Sequence, residues 1–182
     1  METTTIKSKY VPDDVQEIVS RLSSALGINV PSVSISNSNV FSGQYDPFNH
    51  EVTINKAALE DKCNLEVLIA HELAHAKDRC FTMSYMTIWF ISYVLTILIL
   101  NFVLIKKNFE YCNVALLFTS FVLYIILAIF GYYWREIRAD ARAARILGVK
   151  RVLFCAQTTL SPSIEKSIRV ALLKRSATRG VY

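Results

Sequence analysis

Residue types that bind metals or form disulfides are scarce in this sequence, which has three histidines and four cysteines in 182 residues. The cysteines are scattered without a Cys-x-x-Cys pair. This pattern argues against a cysteine-rich zinc module and favours a reducing compartment over that of a disulfide-bonded secreted protein. The first residues contain no apolar segment of the kind that a cleaved signal peptide requires, so no signal peptide is expected.

The sequence also lacks a dense run of lysine and arginine, and it contains no nucleic-acid-binding motif. The net charge of +5 therefore does not indicate a nucleic-acid partner. Basic residues gather beside apolar stretches, as they do in proteins that contact a membrane surface. We expect a lipid bilayer as a partner and no nucleic acid.

Charge is missing altogether from two long stretches, residues 81–105 and 112–134. Each is longer than the roughly 20 residues with which a helix crosses the hydrocarbon of a bilayer. The remaining chain is too small to cover two helices this apolar, which favours two transmembrane helices over a buried pair in a soluble protein. The link between them, 106–111, is so short that the spans must form an antiparallel hairpin.

Basic residues beside the hairpin predict its orientation, because cytoplasmic flanks of membrane proteins carry an excess of lysine and arginine. More of them lie outside the hairpin than in its link. We therefore expect an integral membrane protein with two spans and with both termini in the cytoplasm. The residues compared are Lys77, Arg79, Arg135, Arg138, Arg142 and Arg145 outside the hairpin, against Lys106 and Lys107 in the link.

The segments on either side of the hairpin have the patterns of a mainly helical α+β fold. Apolar residues at helical spacing predict a helix over 12–26 that ends at Gly27, and alternating residues predict a small antiparallel sheet over about 32–55. Four further helices are predicted. One begins after an N-cap at Asn64, and one runs from Trp134 until Gly148 ends it. The last two cover about 150–158 and the segment from the N-cap Ser161, with Pro162 at the first helical position, to about 176. The chain then divides into 1–80, the hairpin 81–134, and 135–182.

The strongest chemical signal is the motif HELAH, residues 71–75. Two histidines four residues apart lie one turn apart on the same face of a helix, which suits two neighbouring ligands of a tetrahedral zinc ion. Glu72 lies beside them, where a carboxylate can act as the general base for a metal-activated water. His71, His75 and Glu72 are therefore predicted as two zinc ligands and the base.

A hydrolytic zinc site needs a third protein ligand. Glu136 is the candidate, because the hairpin would return it close to the histidines. Asp140 follows one helical turn later and could accept a hydrogen bond from a ligating histidine, fixing its tautomer. His50 remains a fallback ligand, and Cys63 or Cys80 are weaker alternatives. Donors for the oxyanion are left open among several tyrosines and the arginines Arg138, Arg142 and Arg169.

HELAH followed, after a membrane hairpin, by EIRAD resembles the membrane gluzincin peptidases of the HtpX and CAAX prenyl protease type. The family's Glu-x-x-Ala-Asp motif is present in full as Glu136, Ala139 and Asp140. The resemblance covers about residues 12–175. It implies a zincin-like, minigluzincin core with an inserted hairpin, in which Glu136 is the third zinc ligand and Asp140 supports the site.

Two weaker matches accompany these motifs. The segment Asn39, Val40, Phe41, Ser42 and Gly43 looks like the family's Asn-Ala-Phe motif, which implies an edge strand that pairs with extended substrate; Val40 departs from the usual alanine. Ser161-Pro162 is similar to the His-Pro motif before the family's last helix. The usual histidine is Ser161 here and the usual arginine position falls on Ser167, so no transition-state role is carried over.

These features predict an endopeptidase with one zinc ion per chain that hydrolyses protein or peptide substrates at the cytoplasmic membrane surface, with membrane protein quality control as a candidate role. The alternative is a non-catalytic membrane anchor or adaptor that retains the fold, although such a protein has no need of Glu72. An intramembrane protease of the site-2 type is disfavoured, because HELAH precedes the first span and neither span contains an aspartate.

Overall fold

The computed structural model describes residues 7–8, 11–37, 42–105, 110–159 and 164–179. These form two compact units, one comprising Met1–Arg79 with Arg135–Tyr182 and the other Cys80–Trp134. The helices are α1 (Asp13–Leu26), α2 (Lys62–Lys77), α3 (Arg79–Ile105), α4 (Glu110–Leu147), α5 (Val149–Thr159) and α6 (Ile164–Arg179), and a short 3-10 helix spans Lys56–Glu60. The strands are β1 (Lys7–Ser8), β2 (Ser32–Ser36), β3 (Gly43–Asp46) and β4 (Glu51–Asn55).

The helix ends follow the local signals, with one exception. Gly27 adopts a left-handed conformation with φ of 62° after α1, and Gly148, with φ of 87°, follows α4, as predicted. Asn64 is not the N-cap of α2, which begins earlier. The side chain of Asp61 caps this helix instead, with its Oδ1 accepting from the backbone N–H of Asn64 at 3.2 Å. A carboxylate suits this position because it meets the positive end of the helix dipole.

The sheet is mixed rather than wholly antiparallel, which corrects the sequence-based prediction. Within the described residues its strand order is β1-β2-β4-β3. β3 and β4 pair antiparallel, but β4 pairs in parallel with β2, with Val33 opposite Val52 and Ile35 opposite Ile54. Successive strands do reverse direction. The parallel pair arises because β4 lies between β2 and β3, leaving β3 at an edge.

The core of the first unit lies between α1, α2 and the sheet. Its most completely buried large side chains are Leu22 of α1, Ile54 of β4, and Ile69 and Leu73 of α2. Burying such aliphatic side chains is the main favourable term in folding. The helix that carries HELAH is therefore held on the inside of the domain by its neighbouring apolar residues.

An ion cluster joins three helices at one side of this core. Glu66 of α2 forms ion pairs with Arg21 of α1 and with Arg151 of α5. The hydrogen bond from Arg21 and the charge of Arg151 outweigh the effect of burial and lower the pKa of the Glu66 carboxyl below its ordinary value. α1 and α5 are thus both tied to the first half of α2.

The second unit, taken by itself, is an antiparallel helical hairpin. Tyr124 of α4 forms hydrogen bonds with Ser92 at 2.9 Å and Thr96 at 3.1 Å, both in α3. Nearer the base of the hairpin, Tyr85 lies so close to Gly131 that a Cβ there would come within 2.7 Å of its hydroxyl. A side chain at position 131 would therefore require the Tyr85 ring to move.

Two helical segments among the described residues are long and apolar enough to cross a membrane, Arg79–Ile99 and Phe118–Leu147. Their large apolar side chains are mostly exposed, as Ile88 at 67% and Phe130 at 65% illustrate. A soluble monomer rarely exposes so continuous an apolar surface. This exposure agrees with the prediction of two apolar spans.

Candidate metal centre

Helix α2 places the two motif histidines side by side. The Nε2 atoms of His71 and His75 are 3.2 Å apart, and their rings meet edge to face with centroids 4.8 Å apart. This follows from their spacing of four residues, which puts both imidazoles on one face of the helix. Because Ile69 and Leu73 are buried at 0% exposure, the orientation of that face is fixed by the core.

Helix α4 brings the predicted third ligand to the histidines. The Glu136 Oε2 is 3.1 Å from the Nε2 of His71, and its Oε1 is 3.3 Å from the Nε2 of His75. One ligand atom from each of the three residues can be chosen so that all lie within 4.8 Å of one another. The structure therefore joins residues that are far apart in sequence into one cluster.

The donor set of this cluster fits a zinc ion. Two imidazole nitrogens and a carboxylate oxygen are common zinc ligands, and donors about 2.0–2.1 Å from a tetrahedral ion lie about 3.3 Å apart. Here the two Nε2 atoms are 3.2 Å apart, and the two oxygens of Glu136 each contact one of them, at 3.1 Å for His71 and 3.3 Å for His75. Three protein ligands leave one coordination position for water or substrate, as in catalytic rather than structural zinc sites.

Asp140, one turn after Glu136 on α4, lies behind the first histidine. Its Oδ1 is 2.9 Å from the Nδ1 of His71. If Nδ1–H donates to this carboxylate, Nε2 keeps its lone pair for a metal. Burial disfavours a charged imidazole, but the hydrogen bonds to Asp140 and Glu136 outweigh burial and raise the pKa of His71 to about 10.

Arg169 of α6 completes the polar network. Its Nε and Nη2 each donate to an oxygen of Asp140 at 2.7 Å, and its Nη1 is 3.3 Å from the Oε2 of Glu136. Sequence reasoning had considered Arg169 only as a donor for the oxyanion. The signal that was missed is its position one turn before the buried Leu173, which places an arginine on the inward face of α6.

The other two arginines proposed as oxyanion donors contact a different carboxylate. Arg138 and Arg142 are 3.2 Å and 2.6 Å from the carboxylate oxygens of Asp78, the residue that follows α2. Arg142 also donates to the backbone carbonyl of Ala74 at 3.2 Å. These contacts fasten α4 to the end of the HELAH helix, so both arginines act in holding Glu136 and the histidines in register.

Glu72 borders the same pocket as the metal cluster. It is 7% exposed, and the pocket, about 430 Å³ in volume, is also bordered by His71 and Glu136. Gly43, the first residue of the edge strand β3, lies against it, because a Cβ at Gly43 would come within 3.3 Å of the Cγ of Glu72. Of the predicted substrate segment, Ser42 and Gly43 line the pocket, and residues 39–41 lie outside the described residues.

His50, the fallback ligand, is not part of the cluster. It lies in the turn between β3 and β4, with φ of 51°, and its ring nitrogens are 2.8 Å from the Tyr45 hydroxyl and 3.2 Å from the Asn29 carbonyl. Among the described side chains, His71, His75 and Glu136 form the one group able to hold a metal ion. The Ser161-Pro162 pair lies outside the described residues.

A model of peptidase family M48 matches residues 12–167. The chain belongs to peptidase family M48. Comparisons with curated proteins and with solved structures found no further match. Membership in M48 implies a metallopeptidase and confirms the resemblance drawn from HELAH and EIRAD at the level of the family. The matched range includes the helices that carry all three members of the metal cluster.

The buried contact between Arg169 and Asp140 predicts a stability effect in this M48 protein. Replacing Arg169 by alanine should lower the free energy of unfolding by about 3 kcal/mol, the low end of the range for a broken buried ion pair, because the buried Asp140 loses two hydrogen bonds but keeps its contact with His71. Thermal unfolding of the detergent-solubilised protein measures the change. Lys174→Ala, an exposed change on the same helix, is the control. Equal unfolding temperatures for the Arg169 and Lys174 variants would show that the ion pair does not contribute to the stability of the fold.

The raised pKa of His71 predicts that metal uptake displaces a proton. At pH 8, His71 in chelator-treated protein is protonated, since its folded pKa is about 10. A metal ligand must be neutral, so zinc binding should release close to one proton per chain. Titration calorimetry in two buffers of different ionisation enthalpy counts the protons. Asp140→Asn should reduce the number released at this pH, and a count of zero in the parent protein would contradict the pKa shift.

The same shift gives the sign of a pH effect on stability. The folded pKa of His71, about 10, is above its ordinary value of 6.5. Its contribution to the stability of chelator-treated protein is therefore fully present below about pH 6.5 and is lost as the pH rises through about 10. Unfolding of the parent protein across this window should show that loss, and Asp140→Asn should diminish it.

Proposed function

We propose that this M48 protein is a zinc-dependent endopeptidase that is anchored in a membrane by two spans and cleaves proteins at the cytoplasmic surface. One observation carries the proposal. The imidazoles of His71 and His75 converge on the carboxylate of Glu136 at 3.1–3.3 Å, and His71, Glu136 and Glu72 border one pocket. A purely structural metal site would have no use for a further carboxylate, that of Glu72, on the wall of the same pocket.

Each side chain has a distinct task in the proposed reaction. Zinc, when bound, supplies Lewis-acid activation of water and of the scissile carbonyl. Glu72 accepts the proton of the attacking water and delivers it to the amine that leaves. Asp140 holds the Nδ1 proton of His71, and Arg169 orients Asp140 through two hydrogen bonds of 2.7 Å. The groups that react are thus held in place before substrate arrives.

The edge strand next to the pocket supports a role in substrate binding. β3 pairs with β4 along one side and lies at the end of the strand order of the described sheet. An extended peptide can add to such an edge through backbone hydrogen bonds, which makes binding tolerant of sequence. Because β3 begins at Gly43 and Gly43 lies against Glu72, a peptide bound there would pass directly over the base.

The two apolar helices support an activity at a membrane. The excess of basic residues outside the hairpin favours the cytoplasmic side for the metal cluster, by the positive-inside rule. Substrates that this position favours are membrane proteins, their cytoplasmic segments and misfolded chains. A role in membrane protein quality control is consistent with such substrates.

The decisive experiment is metal analysis combined with proteolysis of a loosely folded protein such as casein. Purified protein in detergent should contain about one zinc ion per chain, lose cleavage in the presence of a chelator and regain it when zinc is restored. His75→Gln should abolish both metal content and cleavage. His50→Asn is the matched histidine control and should retain both, because His50 is outside the cluster.

The outcome also separates the enzyme from the alternative of a membrane adaptor. A protein that contains no zinc, does not bind added zinc and leaves casein intact would be an adaptor with a retained fold. A protein that binds zinc through His75 but remains inactive toward casein and a mixture of denatured membrane proteins would refute the peptidase proposal while keeping the metal site.

A further inference from the structure

The pocket at the metal cluster continues well beyond the reacting groups. It measures about 430 Å³, within the range usual for ligand sites. Besides His71, Glu72 and Glu136 it is lined mainly by apolar side chains, although several polar residues also border it: Ser42, Asn55, Asp61 and Asn64. The metal ligands and the base do not account for this apolar portion, so its chemistry should decide which substrates fit.

One wall is a continuous face of α2. Leu65 and Leu68 line the pocket on the same side of the helix as Glu72, at intervals of three and four residues. From Glu72 to Leu65 this face extends about 10 Å along the helix axis at 1.5 Å per residue. The space beside the scissile bond is therefore deep enough for a long side chain.

A second wall, contributed by α5, is built from smaller residues. Val152, Cys155 and Ala156 lie on one face of α5, at 2%, 8% and 6% exposure, and all three line the pocket. A third element, the short 3-10 helix, borders the pocket with Ala57 and Ala58. Small side chains on these elements leave room that larger residues would fill.

The charges of the pocket argue against acidic substrate side chains. Apart from His71, which is a proposed metal ligand, Arg169 is the one basic residue among the described residues that line the pocket, and its guanidinium is already bonded to Asp140 and Glu136. The other charged lining residues, including Glu72 and Asp61, are acidic. An acidic side chain placed here would lose its hydration and meet negative charge.

We propose that this pocket binds a large apolar side chain, of the leucine, methionine or phenylalanine class, that belongs to a residue next to the scissile bond. The inference rests on the proposed peptidase function and adds to it a substrate class. Substrates would be cleaved mainly where an apolar residue becomes accessible, as in unfolded chains and in segments leaving a membrane. Peptide bonds flanked on both sides by small or acidic residues would be poor substrates.

Cleavage of matched peptides tests the proposal with the zinc-loaded, full-length protein in detergent. Peptides differ only at the residues on either side of the cleaved bond, which carry leucine, phenylalanine, alanine or aspartate. On one side of the bond, replacing leucine by alanine should lower kcat/KM by at least about tenfold. A single methylene group in an apolar pocket already changes kcat/KM by about tenfold or more. The proposal would be overturned if kcat/KM were the same for peptides with leucine, alanine or aspartate on either side of the cleaved bond.

Narrowing the pocket provides the second test. Ala57→Phe adds a ring at an exposed position on the pocket wall, so the fold should tolerate it, and it should shift preference from leucine toward alanine. Lys56→Phe adds the same ring one residue earlier, at an exposed position that does not line the pocket, and should leave the preference unchanged. A deeper change, Ala156→Leu, should act like Ala57→Phe. Identical preferences in Ala57→Phe and Lys56→Phe would contradict the assignment.

Failure of this inference can be told apart from failure of the proposed function. Cleavage without apolar preference overturns the pocket assignment alone. If no peptide is cleaved at all, the peptidase function falls, and binding then decides the pocket: fluorescent versions of the leucine and alanine peptides are titrated against zinc-loaded Glu72→Gln protein. Tighter binding of the leucine peptide, weakened by Ala57→Phe, supports the pocket; equal binding refutes it.

Discussion

Replacing Glu72 by glutamine is expected to reduce peptide hydrolysis by about 10²–10⁴-fold, the range that a positioned general base contributes. Glutamine has nearly the size and shape of glutamate but cannot accept a proton from water at neutral pH. Glu72 is not a member of the group able to hold a metal ion, so the variant should retain one zinc per chain. The reduction should appear in kcat, with a small change in KM, because the base acts in the transition state.

A matched control lies on the same helix. Glu66→Gln also removes one carboxylate from α2, but Glu66 binds Arg21 and Arg151 and does not line the pocket. It should lower the unfolding temperature while kcat stays near that of the parent protein. Full activity in the Glu72→Gln variant, at equal zinc content, would defeat the assignment of the general base.

Replacing Glu136 by alanine should remove the metal and the activity together. Substitutions behind the ligands of a metal site typically weaken metal affinity by about 10–100-fold, so loss of a ligand should exceed about 100-fold. The remaining pair, His71 and His75, offers two nitrogens, fewer than the three protein ligands of catalytic zinc sites. Competition with a chromophoric chelator measures the affinity, and casein cleavage measures the activity.

Glu60→Ala is the control for this variant, because Glu60 is an exposed carboxylate in the 3-10 helix and does not border the pocket. It should keep both zinc and cleavage. The zinc affinity of Glu136→Gln should lie between those of the parent protein and Glu136→Ala, since an amide oxygen is a weaker ligand than a carboxylate. Unchanged zinc affinity in Glu136→Ala would remove Glu136 from the metal site, and the catalytic assignment would need a different third ligand.

Some features of the fold were predictable because they depend on neighbours in sequence. The apolar spacing in 12–26 and the left-handed Gly27 define α1 almost to the residue. The two uncharged stretches likewise became α3 and the first part of α4. The N-cap of α2 was assigned to Asn64 instead of Asp61, because both residues are good caps and the sequence pattern does not separate them.

The sheet was predicted less well, for a reason of topology. The alternation of apolar and polar residues located β2 and β4 correctly, but pairing partners depend on how the chain crosses between strands. Serines alternate with Val33 and Ile35 in β2 in the same way whether the neighbouring strand is parallel or antiparallel. The insertion of β4 between β2 and β3 therefore left no trace in the local pattern.

The sequence by itself determined the chemistry that helical periodicity can encode: two imidazoles and a carboxylate on adjacent turns of α2, and Glu136 one turn before Asp140 on α4. Only the tertiary structure decided that Arg169 bonds to Asp140, that Asp78 holds Arg138 and Arg142, and that α5 walls the pocket. These contacts join helices separated by long stretches of chain. Their distances depend on how the whole core packs, which no local spacing records.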